Sequence, residues 1–330
     1  EIVLSGIRAT GNLHIGNLLG AVRHFVQYQD SGEHRCFYFV ADQHTLTTPY
    51  DPRELRANLL EMVKDWLAMG LDPERSLIYV QSSVPEISEL ALYLGMITYL
   101  SELQNIPTFK EMVRKHPEQV THGMLSYPVL MAADILGPRA TLVPVGADQV
   151  PNVEHAREIA KRFNRLYGET FALPEMMREM VKVVGLDGEK MGKSERDNAI
   201  GMRVPIPQVR ERYLAHGITD QERTTMSVPG DPYNRCKSVY PVHEIVTPGE
   251  TETREIAKAC MAAEIGCVEC KRRLVDSLAV ILEPFQARRA ELADKTDYVR
   301  EVLHEGGKAA RAIITQTVAE VRDKMGIVLY

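Results

Sequence analysis

Cys36-Phe-Tyr-Phe-Val-Ala41 is a continuous apolar run with no charged side chain, and it reads as a strand covered on both faces, the kind a parallel sheet supplies. Ser76-Leu-Ile-Tyr-Val-Gln81 repeats the pattern, and Ile2-Val-Leu-Ser5 and Thr141-Leu-Val-Pro-Val145 are further strand candidates. Helical spacing fills the intervals. Leu55, Leu59, Leu60, Val63 and Leu67 follow the start signal Asp51-Pro52, and other helical patterns begin near His14 and cover about 86–104, 124–136 and 150–167. This rhythm predicts an α/β fold, a Rossmann-like doubly wound parallel sheet that binds ligands at the carboxyl ends of its strands.

From about residue 205 the strand signal fades. Pro229, Gly230, Pro232, Pro241, Pro248 and Gly249 mark 227–250 as irregular chain, and helical patterns follow over about 252–264, 269–290, 297–304 and 307–325. The expected organisation is a Rossmann-like domain over 1–185, a loop over 186–204 and a small all-α domain over 205–330. Hydrophobic residues at 45% and charged ones at 25% exclude a disordered or collagen-like chain. No apolar stretch approaches the roughly 18 residues of a membrane span, and no basic-then-apolar leader is visible, so a soluble cytoplasmic protein is expected. The net charge of −6 argues at first against an anionic partner. It is unevenly spread: residues 251–330 hold 13 basic and 13 acidic side chains, and residues 1–250 hold 26 and 32. A neutral helical domain with local runs at Lys271-Arg272-Arg273 and Arg288-Arg289 can still meet phosphates.

Two segments carry phosphate chemistry. In Ser5-Gly-Ile-Arg-Ala-Thr-Gly-Asn-Leu-His14-Ile15-Gly16-Asn17, glycines allow close backbone approach, and His14 and Asn17 stand at a helix start. A Gly-rich turn with a capping Asn would look the same. Gly188-Glu-Lys190-Met191-Gly192-Lys193-Ser194 offers two ammonium groups on a loop, suited to the charge that builds on a triphosphate under attack, or simply to solvent. Between them, Tyr127, Met131 and Asp134 fall at i, i+4 and i+7 and share one helix face. An acidic group among large apolar side chains suits a ligand N–H, unless it caps or pairs with a neighbouring element.

In this order the two segments resemble the paired His-Ile-Gly-His-like and Lys-Met-Ser-Lys-Ser-like signatures of class I aminoacyl-tRNA synthetases. Tyr127-Pro-Val-Leu-Met131-Ala-Ala-Asp134-Ile-Leu136, Val143-Pro-Val-Gly-Ala-Asp-Gln149 and Glu154-His-Ala-Arg-Glu-Ile-Ala-Lys-Arg-Phe-Asn164 resemble the tryptophanyl-tRNA synthetase family, from end to end. The resemblance implies activation of L-tryptophan by ATP with Mg²⁺, transfer to tRNA(Trp), and a homodimer with no membrane association. It implies that Asp134 reads the indole, with Tyr127, Met131, Val143, Val145, His44, Gly6 and Gln149 around the amino acid. Arg8, Ala9, Thr10, Gly16, Asn17, Gly146, Ala147, Asp148, Val183, Lys190, Met191, Gly192, Lys193 and Ser194 would bind ATP, with Lys190, Lys193, His14 and Asn17 catalytic. Three residues depart from the family pattern: Ala9 for a usual Pro, Ala147 for a usual Glu and Gly192 for a usual Ser. A tyrosine-specific relative, and a paralogue that binds tryptophan or a partner while charging tRNA weakly, are the competing readings.

Four of the five cysteines form Cys236-x23-Cys260-x6-Cys267-x2-Cys270, and Cys36 begins a buried strand. Four thiols with a Cys-x2-Cys element suggest a tetrathiolate site for zinc or an iron–sulfur cluster, which spacing does not separate, and four independent buried cysteines remain the alternative. Cys260-Met-Ala-Ala-Glu-Ile-Gly-Cys267-Val-Glu-Cys270-Lys271 resembles the C-terminal domain of a bacterial subgroup of the family that carries a [4Fe–4S] cluster near the anticodon, which implies that cluster here.

Overall fold

A computed structural model describes residues 1–9, 13–177, 183–192 and 198–327. The chain divides into two compact units. The first comprises Glu1–Gly11, His24–Met180 and Lys295–Tyr330, and the second Asn12–Arg23 and Val181–Asp294.

In the first unit, β1 (Ile2–Ile7), β2 (Arg35–Val40), β3 (Ser76–Val80), β4 (Leu142–Pro144) and β5 (Glu175–Met177) form a parallel sheet in the order β3-β2-β1-β4-β5. Register runs from Ile2 opposite Arg35 to Ile7 opposite Val40, and from Cys36 opposite Ser76 to Val40 opposite Val80. The expected strands form, and β2 is buried from Cys36 onward because helices cover both faces of the sheet. β5 was not anticipated, since three residues carry no readable alternation. The chain moves outward from β1 to β3 and then returns to place β4 on the other side of β1. That reversal makes the carboxyl ends of β1 and β4 the switch point at which such sheets bind ligands.

Helices depart from expectation at glycines and prolines. The stretch expected as one helix over 86–104 is two, Pro85–Met96 and Leu100–Asn105, and Pro107 holds Ile106 extended and opens a further helix, Pro107–Lys115. The patterns over 297–304 and 307–325 are one helix, Thr296–Lys324, with Gly306 and Gly307 inside it. This helix lies against the first unit's sheet: a Cβ on Gly306 would stand 2.1 Å from the Ile78 carbonyl oxygen of β3. Arg311 bonds Glu86 at 2.8 Å, Arg322 bonds Glu89 at 2.5 Å and Lys324 donates to the Thr170 hydroxyl at 2.8 Å. The last helix therefore belongs with the sheet in compactness, whereas the sequence reading grouped it with the C-terminal domain. The chain's single tryptophan, Trp66, is buried in the first unit, edge-on to Phe25, which stacks on Tyr38 at 4.5 Å.

The second unit is mainly helical. Leu274, Val275, Leu278, Leu282 and Phe285 are the buried stripe of the helix Cys267–Glu291, against which the helices Ile206–His216 and Val239–Val246 pack. Val239–Val246 falls in the stretch expected to be irregular, and Pro241 is tolerated because it lies in the first turn. No described helix is long and apolar enough to cross a membrane.

Candidate active site

The first unit gathers the polar side chains at the carboxyl ends of its strands. The helix His122–Leu136 starts where the Thr121 hydroxyl caps Met124 N–H at 3.2 Å, and it carries Asp134, 2% exposed, into the core. Asp134 is not bare. Gln81, just past β3, donates Nε2–H to both carboxylate oxygens at 2.9 Å, and His44 Nε2 lies 2.9 Å from Oδ2. Burial pushes the Asp134 carboxyl above its ordinary range, and the bonds from His44 and Gln81 pull it back. The alternative that Asp134 pairs with a neighbouring element is thus met in part, yet a carboxylate has about four lone-pair directions and is not exhausted by these partners.

Tyr127 sets its ring edge-on to His44, 6.1 Å between centroids, and its hydroxyl bonds Thr108 and reaches Asn152 Oδ1 at 3.5 Å. Asn152, fully buried, donates to Gln149 Oε1 at 2.9 Å, and so ties the tyrosine to the glutamine. Val143 and Val145 are buried and Met131 is half-buried against the same core. Gly6 has a packing reason, since a Cβ there would stand 2.5 Å from the Phe39 ring. Arg8 Nη2 donates to the Thr48 hydroxyl at 2.5 Å, its Nε is buried without a partner among the described residues, and burial lowers the guanidinium pKa. Ala9 N–H donates to Thr45 Oγ1 at 3.1 Å. A proline there could not make that bond. Gly146 passes within 2.8 Å of Asp148 Oδ1 as measured from an added Cβ, and Ala147 is exposed, so the missing glutamate costs no packing.

The second unit stitches the two phosphate motifs together. His14 Nδ1 accepts from Asn17 N–H at 3.3 Å while Asn17 Oδ1 accepts from His14 N–H at 3.1 Å, a reciprocal cap. With Nδ1 accepting, a neutral ring carries its proton on Nε2. The α-helical segment Ile15–Asn17 runs directly into a π-helical turn over Leu18–Val22 and then an α-helix over Arg23–Ser31, so the helix expected to begin near His14 forms, with a π-helical irregularity inside it. Gly16 N–H points at Met191 Sδ at 3.2 Å, Ile15 N–H bonds the Ile200 carbonyl at 2.9 Å and His14 bridges Gly201. Lys190 is exposed on a short hairpin in which Met191 N–H bonds the Val183 carbonyl at 3.0 Å. Val183 is 4% exposed and buried among its neighbours. Asn198, also buried, accepts Gly192 N–H at 3.2 Å and donates to Asp187 at 2.8 Å and to the Lys190 carbonyl at 3.3 Å. Thr10, Lys193 and Ser194 lie outside the described residues.

Cys236, Cys260, Cys267 and Cys270 line one cavity of about 20 Å³ in the second unit, with Arg223, Asp220 and Tyr240. Tyr240 N–H points at Cys236 Sγ at 3.4 Å and Arg223 Nη1 at Cys260 Sγ at 3.7 Å. A Cβ on Gly230 would stand 2.6 Å from Cys260 Sγ, so glycine makes the space the sulfur occupies. Burial pushes the Cys236 thiol up to about 11 and the Cys270 thiol up to about 12, and charge on the neighbouring cysteines adds to both shifts. Among the described residues, no three His, Cys, Asp or Glu side chains stand ready to hold a single metal ion. One zinc would draw four sulfurs to about 3.8 Å from each other; a larger group that bridges them asks for less convergence.

Gln81, Thr108, Asn152 and Asn198 escaped the sequence reading. Gln81 had a signal, a polar residue closing a buried strand. The other three are single amides or hydroxyls with no spacing to mark them.

A family model described as class I tRNA synthetases (W and Y) matches residues 1–283. The tryptophan–tRNA ligase of Thermotoga maritima is 42% identical over 98% of the chain and 99% of its own length, and that of Deinococcus radiodurans is 39% identical over 98% of each. The crystal structure of tryptophanyl-tRNA synthetase from Campylobacter jejuni, complexed with ADP and tryptophan, superimposes with a TM-score of 0.84 at 32% identity, covering 99% of this chain and 100% of that one.

Proposed function

The chain belongs to the class I tRNA synthetases for tryptophan and tyrosine, and from that membership we propose how its residues divide the work. It acts as a tryptophan–tRNA ligase, with tryptophan, ATP and tRNA(Trp) as its substrates. The full-length identity to curated tryptophan–tRNA ligases carries this conclusion. Purified enzyme given tryptophan or tyrosine in parallel should charge tRNA with tryptophan alone; preferential charging with tyrosine overturns the assignment.

In the first unit, Asp134 accepts the indole N–H, Met131, Val143 and Val145 wall the ring, Tyr127 and His44 close its edge, and Gly6 and Gln149 meet the amino-acid head group. Arg8, Ala9 and Thr10 line ATP, and Gly146, Ala147 and Asp148 touch the ribose. In the second unit, Gly16 and Asn17 bind nucleotide, Val183 and Met191 support the adenine and the loop, and His14 offers Nε2–H to phosphate. ATP enters as its Mg²⁺ salt, which lowers the charge on the departing pyrophosphate. The tryptophan carboxylate attacks the α-phosphorus, the bond to the bridging oxygen breaks, and pyrophosphate leaves. Lys190 and Lys193, with Gly192 and Ser194 between and beside them, meet the developing negative charge. The terminal ribose hydroxyl of the tRNA then attacks the aminoacyl carbonyl and AMP leaves. Catalysis is positioning plus charge stabilisation, without a covalent enzyme intermediate.

Gly192 makes loop ordering dearer than serine would. Among the described residues a Cβ there meets the Lys190 carbonyl oxygen at 3.9 Å, an ordinary van der Waals distance. Gly192→Ser should lower the KM for ATP in pyrophosphate exchange by about two- to fivefold; an unchanged KM removes this account.

A [4Fe–4S] cluster on Cys236, Cys260, Cys267 and Cys270 is the reading supported by the shared cavity, the space left by Gly230 and the donors aimed at two sulfurs. Zinc at the same cysteines is the alternative. When bound, the cluster ties the loop bearing Cys236 to the helices bearing the other three, in the part of the chain assigned to the anticodon. The same reading makes the enzyme cytoplasmic, where thiols stay reduced. Membership of the family also leads to a homodimer, with a second copy covering Leu92, Met96, Tyr99 and Leu100, which are all more than half exposed.

A further inference from the structure

Gln81 is fully buried at the carboxyl end of β3, and both ends of its carboxamide are hydrogen-bonded. Nε2 reaches Oδ1 and Oδ2 of Asp134 at 2.9 Å each, and Oε1 accepts the His44 backbone N–H at 3.4 Å. His44 Nε2 adds a second contact to Oδ2 at 2.9 Å. Each carboxylate oxygen offers about two lone-pair directions. Oδ2 has both filled, by Gln81 and His44, whereas Oδ1 has one filled and one open among the described residues.

We infer that Gln81 is a positioning residue for amino-acid selection, holding Asp134 as an oriented acceptor whose one open direction, on Oδ1, receives the indole N–H. This rests on the reading that Asp134 faces the indole, and it identifies what holds the carboxylate there. Tryptophan and tyrosine both bring a donor, so the presence of an acceptor does not sort them, whereas its fixed direction does. A primary amide suits the task for two reasons. It carries no charge to neutralise the carboxylate, and an amide does not itself titrate, so its two N–H donors are always present. Without it, a carboxyl this buried moves toward its protonated form, which donates where an acceptor is needed.

The experiment measures equilibrium binding of tryptophan and of 3-(3-benzothienyl)-L-alanine, which has sulfur in place of the ring N–H, to the full-length wild type, Gln81→Met and Gln81→Asn. Wild type should prefer tryptophan by about tenfold or more, the worth of a hydrogen bond to a charged group. Gln81→Met should shrink that preference to roughly threefold or less through weaker tryptophan binding, with the analogue bound about as in wild type. Gln81→Asn, which keeps an amide donor on a shorter stem, should fall between and decides the matter if the methionine variant does not fold. A structural role would weaken both ligands equally. Equal weakening, or an undiminished preference, overturns the role of Gln81 and leaves the Asp134 reading standing; no preference in wild type overturns both.

Discussion

Gly306→Val should lower the melting temperature by on the order of 10 °C. Even the first atom of the new side chain would stand 2.1 Å from the Ile78 carbonyl oxygen, 2.8 Å from its carbon and 3.1 Å from its nitrogen, all backbone of β3. β3 is the edge strand of the sheet but is paired to β2 along its whole length and cannot step aside without breaking that ladder, so the helix Thr296–Lys324 must lift. Lifting it uncovers Val299, Val302, Leu303, Ala310, Ile314, Val318 and Val321, which are buried along its inner face. Removing glycine from a helix interior gains at most about 1 kcal/mol of propensity, whereas overpacking against rigid backbone costs about 3 kcal/mol or more, so the clash wins. Gly307→Ala is the control. Its Cβ would meet Ser83 Oγ at 2.6 Å, the end of a side chain that can rotate, and the loss should be small. Calorimetry on the pair checks the argument, and equal effects at the two positions would refute it.

Cys270→Ser should remove the visible absorbance of the anaerobically purified enzyme and its iron, roughly four atoms per chain, and destabilise the second unit by several kcal/mol, in keeping with metal sites whose binding energy is folding energy. Burial holds the Cys270 and Cys236 thiols far above neutrality in the absence of metal, so a cation must supply the energy to deprotonate them, and three ligands supply it less well than four. Gly230→Ala should act in the same direction by displacing Cys260 Sγ, with every ligand still present. Iron analysis and spectra decide. A colourless anaerobic wild type with one zinc per chain would instead identify a single-ion site and overturn the cluster.

Sequence reached the fold where one physical cause dominated. β2 was legible because burial on both faces leaves Cys36 to Ala41 without a charge, while β5, Glu175 to Met177, is too short for its environment to print a pattern. The last helix was read as two because glycine usually weakens a helix; here Gly306 is present for the sheet, a cause visible only in three dimensions. The site divides in the same way. Tyr127, Met131 and Asp134 share a helix face by spacing alone, so their joint role could be read. Gln81 and Asn152 act through isolated contacts to Asp134 and His44 and to Gln149 and Tyr127, and such contacts leave no periodicity in the sequence.

Trp66 has a consequence for how the molecule can be watched. As the chain's only indole, buried beside Phe25, it is the sole source of tryptophan emission when no substrate is added, and it reports on the first unit alone. A chromophore on the four cysteines would report on the second. Fluorescence and visible absorbance followed through one thermal ramp are therefore two independent clocks, one for each half of the molecule.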